Sequence, residues 1–227
     1  MTAFRRRSLT LVTDRRRLAP DARTIADEVR ALDAFLDEAT AAGIDYVQIR
    51  ETDLGGRALV DVVRRAVARA QGTSTRVLVN DRADAALAAG AHGVHLKADG
   101  ASVARTRSLA RDWLIGQSVH ESGVPDSSAG SDYLLFGSVF PTASKPAGHR
   151  AAGLDALARV VGTTAAPVVG IGGITPDNAA LAAAAGAAGV AAIGVFLPEG
   201  RTPGALGVRR AVEQFRAIAA FRTDLLE

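Results

Sequence analysis

The sequence predicts a (βα)8 TIM barrel that forms a single domain over residues 1–227. Eight short apolar runs alternate with longer helical stretches, and the chain is close to the length of about 250 residues that such barrels typically need. The runs are rich in Val, Ile and Leu, which is typical of parallel strands buried on both faces. A doubly wound open sheet is the alternative, but eight evenly spaced units favour closure into a barrel.

The strand predictions follow the apolar runs in chain order. They cover residues 8–13, 46–50, 76–80, 93–96, 114–119, 133–139, 167–172 and 190–196. Because the strands of a parallel barrel all end on the same face, the residues that follow them are expected to converge there.

Helical spacing of apolar residues predicts the segments between the strands. The predicted helices cover residues 24–42, 56–71, 83–89, 102–111, 154–161, 176–185 and 203–220. Pro176 after Thr175 is typical of a capped helix that begins with proline. Residues 121–131 include Pro125, two Gly and four Ser, so a loop or a single turn is expected there.

Composition and charge exclude several classes of function. The absence of Cys excludes disulfides, thiolate metal sites and Cys nucleophiles. No charge-free apolar stretch reaches the roughly 18 residues of a membrane span, so a cytoplasmic protein without a membrane partner is expected. The net charge is +3, and the basic runs at residues 5–7 and 15–17 are interpreted as a solvated tail and a loop near a phosphate site. No nucleic-acid-binding motif accompanies them, so no nucleic-acid partner is expected.

Polar side chains follow most of the predicted strands, on the face where barrel enzymes carry their active sites. A purely structural barrel end would not need so many charged and hydroxyl groups. They are Asp14, Arg50, Glu51, Asn80, Asp81, Arg82, His95, Lys97, Ser118, His120, Thr142, Ser144 and Lys145.

The pair Gly172-Gly173 predicts a phosphate site. It lies between a buried strand and a helix, where glycine lets backbone N–H groups approach an anion closely. Phosphate sites after strands seven and eight recur in this fold, and the Ile193-Gly194 backbone follows strand eight at the matching place. The alternative is a tight turn without a ligand.

Histidine supplies the candidate for proton transfer. His120 follows strand five, and imidazole can take and give a proton near neutral pH. A histidine at a strand end can equally serve packing or capping, and position alone leaves both readings open. His95 lies inside an apolar strand and is expected to be structural, whereas His92 and His149 are expected in loops or at the surface.

Lys145 is one of only two lysines in a chain rich in Arg. Its compact ammonium, on a loop of Thr, Ser and Ala, suits the binding of phosphate or carboxylate, although it could also be a solvated loop residue. The small residues of this loop predict a mobile lid over residues 143–149.

Eight short motifs occur along the chain in a characteristic order. They are LVTDRR at 11–16, VQIRE at 47–51, VNDR at 79–82, GVHL at 93–96, GQSVH at 116–120, DYLLFG at 132–137, FPTASK at 140–145 and GIGGI at 170–174. With these motifs the chain resembles the thiamine phosphate synthase/TenI superfamily over nearly its whole length.

The resemblance implies one of two activities on the same barrel. The synthase joins hydroxymethylpyrimidine diphosphate to a thiazole phosphate and expels pyrophosphate with Mg²⁺. The TenI branch includes a tautomerase that aromatises a thiazole carboxylate phosphate. Both bind a phosphorylated thiazole at the glycine site, which matches Gly172, Gly173, Ile193 and Gly194 here.

Two departures from the synthase pattern favour the TenI branch. Thr52 stands where the synthase has a lysine that meets pyrophosphate. After strand four, Ala98 and Gly100 stand where the synthase has a Gln and an Asp that binds Mg²⁺. Release of pyrophosphate needs dense charge neutralisation, so losing a cation and a metal ligand together weakens that chemistry. Residues 136–145 also look more like the TenI branch.

The leading hypothesis is therefore a TenI-type thiazole tautomerase, an isomerase that requires no cofactor. His120 matches the position that the resemblance assigns to the acid/base. The predicted substrate-binding residues, beside the glycine backbone, are Arg50, Asn80, Ser118, Thr142 and Lys145.

Two alternatives stay open. In a working thiamine phosphate synthase, Asp81 and a shifted Asp99 would bind Mg²⁺, while Asn80 and Lys145 would contact the pyrophosphate. In a non-catalytic binder of thiamine phosphates, the ligand would be bound without turnover for a regulatory purpose. Barrels of this superfamily are often homodimers, but no sequence feature fixes an interface.

Overall fold

The computed structural model describes residues 3–121, 123–146 and 148–222, and its strands form one closed parallel barrel. Neighbouring strands pair in chain order, and the first strand pairs with the last to close the barrel. The strands are β1 (Ser8–Val12), β2 (Tyr46–Ile49), β3 (Arg76–Asn80), β4 (Gly93–Leu96), β5 (Leu114–Val119), β6 (Tyr133–Gly137), β7 (Val168–Ile171) and β8 (Gly189–Ala192). The predicted (βα)8 TIM barrel is thus confirmed, whereas its extent as one domain over residues 1–227 stays a prediction.

Helices surround the barrel between successive strands. They are α1 (Arg15–Leu18), α2 (Ile25–Ala41), α3 (Gly56–Ala70), α4 (Ala83–Ala89), α5 (Val103–Arg107), α6 (Gly153–Gly162), α7 (Pro176–Ala184) and α8 (Val208–Ala217). Short 3-10 turns cover Asp126–Ser128, Gly194–Phe196 and Ala219–Phe221. Over the described residues, no helix combines the length and the apolar character needed to cross a membrane.

Local signals in the sequence explain where two helices begin. The Thr24 hydroxyl accepts a hydrogen bond from the N–H of Asp27 at 3.1 Å and so caps α2. At α7, Pro176 occupies the first turn and the Thr175 N–H donates to Asn178 Oδ1 at 2.9 Å. The start of α7 is therefore fixed directly behind the glycine pair of the preceding loop.

Several boundaries differ from the sequence predictions, including the end of β8 and the start of α8. Strand β8 ends at Ala192 because the chain turns there, and the Phe196 N–H donates to the Ile193 carbonyl at 3.2 Å. Helix α8 begins at Val208 instead of residue 203, since Gly207 adopts a left-handed conformation with φ +75°. Helix α1 was not predicted, and residues 121–131 contain the single turn that was expected.

The apolar core forms two layers. The larger layer lies between the strands and the helices, and the smaller one fills the inside of the barrel. At the N-terminal ends of the strands, the Phe4 ring stacks between Tyr46 and Tyr133, with ring centroids 4.6 and 4.5 Å apart. Side chains fill the interior of small barrels in this way. In the described part of the chain, the bottom of the barrel is therefore filled by side chains.

Arg15 lies in helix α1 and not in the loop that was predicted for residues 15–17. Its side chain is 1% exposed and meets three carboxylates. Nη1 lies 3.0 Å from Glu51 and 2.6 Å from Asp53, while Nε lies 2.8 Å from Glu28. Because the three acids follow β2 or lie on α2, the single guanidinium ties the loops after β1 and β2 to a helix. A buried arginine is stable only when it is paired and hydrogen-bonded in this manner.

Candidate active site

A cavity of about 580 Å³ lies at the C-terminal ends of the strands. That volume is typical of pockets for small ligands. Ten of the twelve site residues predicted from sequence line it, namely Arg50, Asn80, Ser118, His120, Thr142, Lys145, Gly172, Gly173, Ile193 and Gly194. The two candidate metal ligands, Asp81 and Asp99, are absent from this lining.

The loop after β7 has a shape that only glycine permits. Gly172 and Gly173 have φ angles of +97° and +65°. A Cβ atom on Gly172 would lie 2.4 Å from the Cβ of Ser138, and one on Gly173 would lie 2.3 Å from the Pro141 carbonyl oxygen. The Asn178 amide donates to the Gly173 carbonyl at 2.8 Å and fixes the loop from behind. The backbone itself therefore forms this wall of the cavity, as anion-binding loops require.

Two residues near Gly194 escaped the sequence predictions. A Cβ atom on Gly194 would lie 3.4 Å from Arg17 Nη2 and 3.5 Å from the Thr202 hydroxyl. Both side chains line the cavity, so a guanidinium and a hydroxyl stand beside the backbone after β8. The run of arginines was visible in the sequence. Its spacing does not show that Arg15 is buried whereas Arg17 lines the cavity.

The cavity is strongly basic. Arg17, Arg50, Lys97 and Lys145 all line it, and none of its described lining residues is Asp or Glu. In the closed barrel order, β3 and β4 lie across the mouth from β7 and β8. Asn80 and Lys97 therefore face the glycine loops from the opposite side. Such a cavity favours ligands that carry negative charge at both ends.

Asp81 is engaged by a lysine. Its carboxylate lies 2.7 Å from Lys97 Nζ, and this hydrogen bond raises the pKa of Lys97. Within the described ranges, no group of three or more His, Cys, Asp or Glu could hold a metal ion. Protein Mg²⁺ sites use one or two carboxylates in octahedral geometry. Because the Asp81 carboxylate is already paired with an ammonium, the described residues do not fit such a site.

His95 holds Ser118 at the floor of the cavity. Its Nε2 lies 2.9 Å from the Ser118 hydroxyl, and its Nδ1 lies 3.0 Å from the Tyr133 hydroxyl. Burial lowers the pKa of His95 to about 4 and raises the pKa of Tyr133. A neutral imidazole thus links the two hydroxyls and orients Ser118, which agrees with the structural role predicted for His95.

The buried neutral His95 predicts a loss of stability in mild acid. Below the ordinary histidine pKa of about 6.5, the unfolded chain binds a proton that the folded chain accepts only near pH 4. The free energy of unfolding is therefore expected to fall between pH 6.5 and pH 4, with a share from His95 on the order of 3 kcal/mol. Urea unfolding over this pH range measures the slope.

His95→Gln is expected to flatten that slope, because the substituted side chain has no proton to gain. His120→Gln is the matched control, since His120 is exposed and its side chain makes one hydrogen bond among the described residues, to the Gly137 carbonyl oxygen, 3.3 Å from Nδ1. Equal slopes for the wild type and His95→Gln would contradict the prediction.

The remaining histidines lie near the predicted places. His120 is exposed at the cavity rim. His149 is exposed, and its Nε2 lies 2.8 Å from the Ser138 hydroxyl. His92 is half-buried and accepts a hydrogen bond from the Val77 N–H at 3.0 Å. The mobile lid over residues 143–149 stays a prediction, and Ala147 lies outside the described residues.

Gln48 is a further residue that the sequence predictions missed. It is 2% exposed, lines the cavity and donates its Nε2 to Asn80 Oδ1 at 2.9 Å. Its Oε1 is buried without a hydrogen-bond partner among the described residues. A buried amide oxygen usually has a donor, so this one is available to a ligand. The alternating pattern of β2 could have located Gln48, but a polar residue in an apolar run is no marker of ligand contact.

Comparison with known proteins settles the family. Residues 11–196 match the family described as "Thiamine monophosphate synthase". The chain belongs to that family. A putative thiamine-phosphate synthase of Geobacter sulfurreducens is 40% identical over 195 residues, covering 85% of this chain and 87% of that protein. A thiamine-phosphate synthase of Methanoregula boonei is 40% identical over 158 residues, covering 68% and 73% of the two chains.

A solved structure agrees with this family. The thiamine phosphate pyrophosphorylase of Pyrococcus furiosus superposes on this chain with a TM-score of 0.74 at 30% identity. The match covers 92% of this chain and 94% of the Pyrococcus protein. Both the sequence and the shape of the barrel therefore relate this member of the thiamine monophosphate synthase family to synthases.

The predicted TenI-type tautomerase is wrong as the main interpretation. The relatives at about 40% identity and the similar solved structure carry the names of the synthase reaction, not of an isomerase. The proton-transfer role of His120 belonged to that hypothesis and is not carried further. The error came from counting the charges lost at Thr52 and Gly100 without knowing which other cations the barrel brings to the cavity.

Proposed function

We propose that this chain is a thiamine-phosphate synthase, a transferase that joins hydroxymethylpyrimidine diphosphate to a thiazole phosphate. The proposal rests on one observation: two sides of the cavity, each with groups suited to binding an anion, face each other. The thiazole carboxylate phosphate of a tautomerase carries one phosphate and one carboxylate, whereas the synthase reaction brings a phosphate and a more highly charged diphosphate into the same cavity and so requires more cations on the second side. The names of the relatives support the same reaction.

The reaction requires the cavity to neutralise negative charge and to align the two substrates. The bond between the pyrimidine methylene carbon and the diphosphate oxygen breaks, and the electron pair leaves with diphosphate. The lone pair of the thiazole nitrogen then forms the new carbon–nitrogen bond. No proton has to move in this exchange, so the side chains must chiefly hold two anions and stabilise the charge that develops on the leaving group.

The thiazole phosphate is assigned to the glycine side. Backbone N–H groups of Gly172, Gly173 and Gly194 would hold the phosphate, with the Arg17 guanidinium and the Thr202 hydroxyl beside them. Support comes from the close approach of Arg17 and Thr202 to Gly194. A guanidinium pairs well with phosphate oxygens, and the nearby start of α7 adds a favourable dipole.

The pyrimidine diphosphate is assigned to the opposite side. Arg50, Asn80 and Lys145 would bind the diphosphate, while Ser118 and the unpartnered oxygen of Gln48 would face the aminopyrimidine ring. The resemblance to synthases implies Mg²⁺ here, but the described residues do not fit a magnesium site, so no step is assigned to a metal. The homodimer and the cytoplasmic location suggested above stay predictions.

Product formation tests the proposal directly. Purified protein incubated with both substrates is expected to release thiamine phosphate and diphosphate in equal amounts over many turnovers, because the two assigned sides bring the reacting atoms together. Lys145→Met is expected to lower kcat/KM about tenfold or more by removing one charged contact to the leaving group.

Arg105→Met is the matched control, since this arginine lies on α5 and is absent from the cavity lining. It should leave product formation unchanged. Binding of both substrates without any thiamine phosphate would overturn the synthase assignment.

A further inference from the structure

We propose that the ammonium of Lys97, held by Asp81, binds the substrate diphosphate in the place of a divalent cation, so that diphosphate binding by this chain requires no metal. The inference rests on the proposed function and identifies the group that neutralises the charge of the diphosphate leaving group. Its basis is the geometry of the β3 and β4 ends.

Asp81 is held in a fixed position. Its backbone is left-handed, with φ +55°, and its N–H donates to the His95 carbonyl at 2.8 Å. This conformation is uncommon for a residue other than glycine and is retained only where the surroundings fix it. It turns the carboxylate toward the loop after β4, where Oδ2 meets Lys97 Nζ at 2.7 Å.

Lys97 is held in place but keeps hydrogen-bond donors for a ligand. The Gln117 amide donates to the Lys97 carbonyl at 3.1 Å and fixes its backbone. The Lys97 side chain is 57% exposed and lines the cavity, whereas Asp81 does not. An ammonium has three donors, so one can stay on Asp81 while the others reach a ligand.

Within the described residues, Asp81 belongs to no group of three or more acids or histidines that could hold a metal ion. A Cβ atom on Gly100 would lie 2.9 Å from Asp81 Oδ1, so position 100 is the one from which a second acid could join Asp81. Glycine supplies none. The charge of Asp99 also acts on Lys97, but Asp99 is absent from the cavity lining. Asp81 with its bound ammonium therefore offers N–H donors toward the cavity in place of a cluster of carboxylates for Mg²⁺.

The side of the cavity that holds Lys97 is positively charged. Lys97 joins Arg50 and Lys145 in the cavity, and no acid of the described lining opposes them. A diphosphate carries several negative charges, and these three cations can neutralise it without a bound ion. A lysine serves phosphate as a point charge and is suited to this task.

Calorimetric titration with inorganic diphosphate tests the inference. The wild type is expected to bind diphosphate in EDTA with an affinity that added Mg²⁺ leaves unchanged. Lys97→Met is expected to weaken binding in EDTA about tenfold or more, since it removes a hydrogen bond between charged groups. Lys97→Arg, which keeps the charge, should retain most of the affinity.

Arg82→Met is the matched control, because Arg82 adjoins Asp81 in sequence but pairs with Asp84 and is absent from the cavity lining. Its affinity should equal that of the wild type. Binding that appears only with Mg²⁺, or a Lys97→Met variant that binds like the wild type, would overturn the inference.

The outcomes also separate this inference from the proposed function. Thiamine phosphate formed only with Mg²⁺ would leave the synthase standing and remove the role of Lys97. Metal-free diphosphate binding that depends on Lys97, without product from both substrates, would support the site and remove the synthase.

Discussion

Replacing Arg15 by methionine is expected to lower the free energy of unfolding by about 3–5 kcal/mol. Methionine fills part of the volume but leaves Glu51, which is only 5% exposed, without its cation. Burial already raises the pKa of Glu51, and Arg15 opposes that shift. Hydrogen bonding to Arg15 also lowers the pKa of Asp53 to about 2. Denaturation by urea at neutral pH, where these acids would be left charged, measures the loss.

Arg30→Met is the control for Arg15→Met. Arg30 is exposed and pairs with Asp27 one turn away on α2. Exposed ion pairs contribute about 0–1 kcal/mol, so this variant should stay close to the wild type in unfolding free energy. If both arginine variants lose the same amount, Arg15 would not be the connection between the loops after β1 and β2 that its contacts indicate.

Replacing Gly173 by alanine is expected to reduce kcat/KM for the thiazole phosphate by about a hundredfold, because a shift of about 1 Å in the positioning of a substrate can cost that much. The added methyl group would lie 2.3 Å from the Pro141 carbonyl oxygen and 2.8 Å from the Phe140 Cβ. The φ of +65° is also unfavourable for alanine. The loop must move, and with it the backbone N–H groups assigned to phosphate. Initial rates over a range of each substrate measure the effect.

Gly162→Ala is the matched control for Gly173→Ala. Gly162 ends α6, has no positive φ and has nothing within 4 Å of an added Cβ. Its alanine variant should keep full activity and gain slightly in stability. The Gly173 variant should lose affinity for the thiazole phosphate far more than for diphosphate. Equal losses for the two ligands would show that the glycine loop does not select between them.

Most of the barrel was predictable because its signals are local. Apolar runs located all eight strands, and Thr175 with Pro176 located the start of α7. The end of β8 was not predictable, because residues 190–196 stay apolar through the turn that begins at Ile193. Apolar composition reports burial, and a buried turn has the same composition as a buried strand.

Position along a strand located residues of the cavity, although their roles stay predictions. Asn80 and Ser118 near the ends of β3 and β5, and Gly172 directly after β7, line the cavity. Arg17 and Lys97 line the cavity but were not among the predicted site residues, because their positions depend on partners far away in sequence. Only the fold shows that Arg15 pairs with buried acids whereas Arg17 lines the cavity. The choice between two reactions failed for the same reason.

The seam between β1 and β8 has a consequence for synthesis of the protein in cells. Ser8 pairs with Gly189, and a Cβ atom on Gly189 would lie 2.4 Å from the Ser8 hydroxyl, so the two edges meet closely. A ribosome delivers β1 long before β8 exists, and the growing sheet keeps two unpaired edges until the last strand emerges. Open parallel edges invite pairing between chains, and distant contacts form slowly. Closure of the barrel is therefore a late and long-range step of folding, because Ser8 can meet Gly189 only after nearly the whole chain has been made.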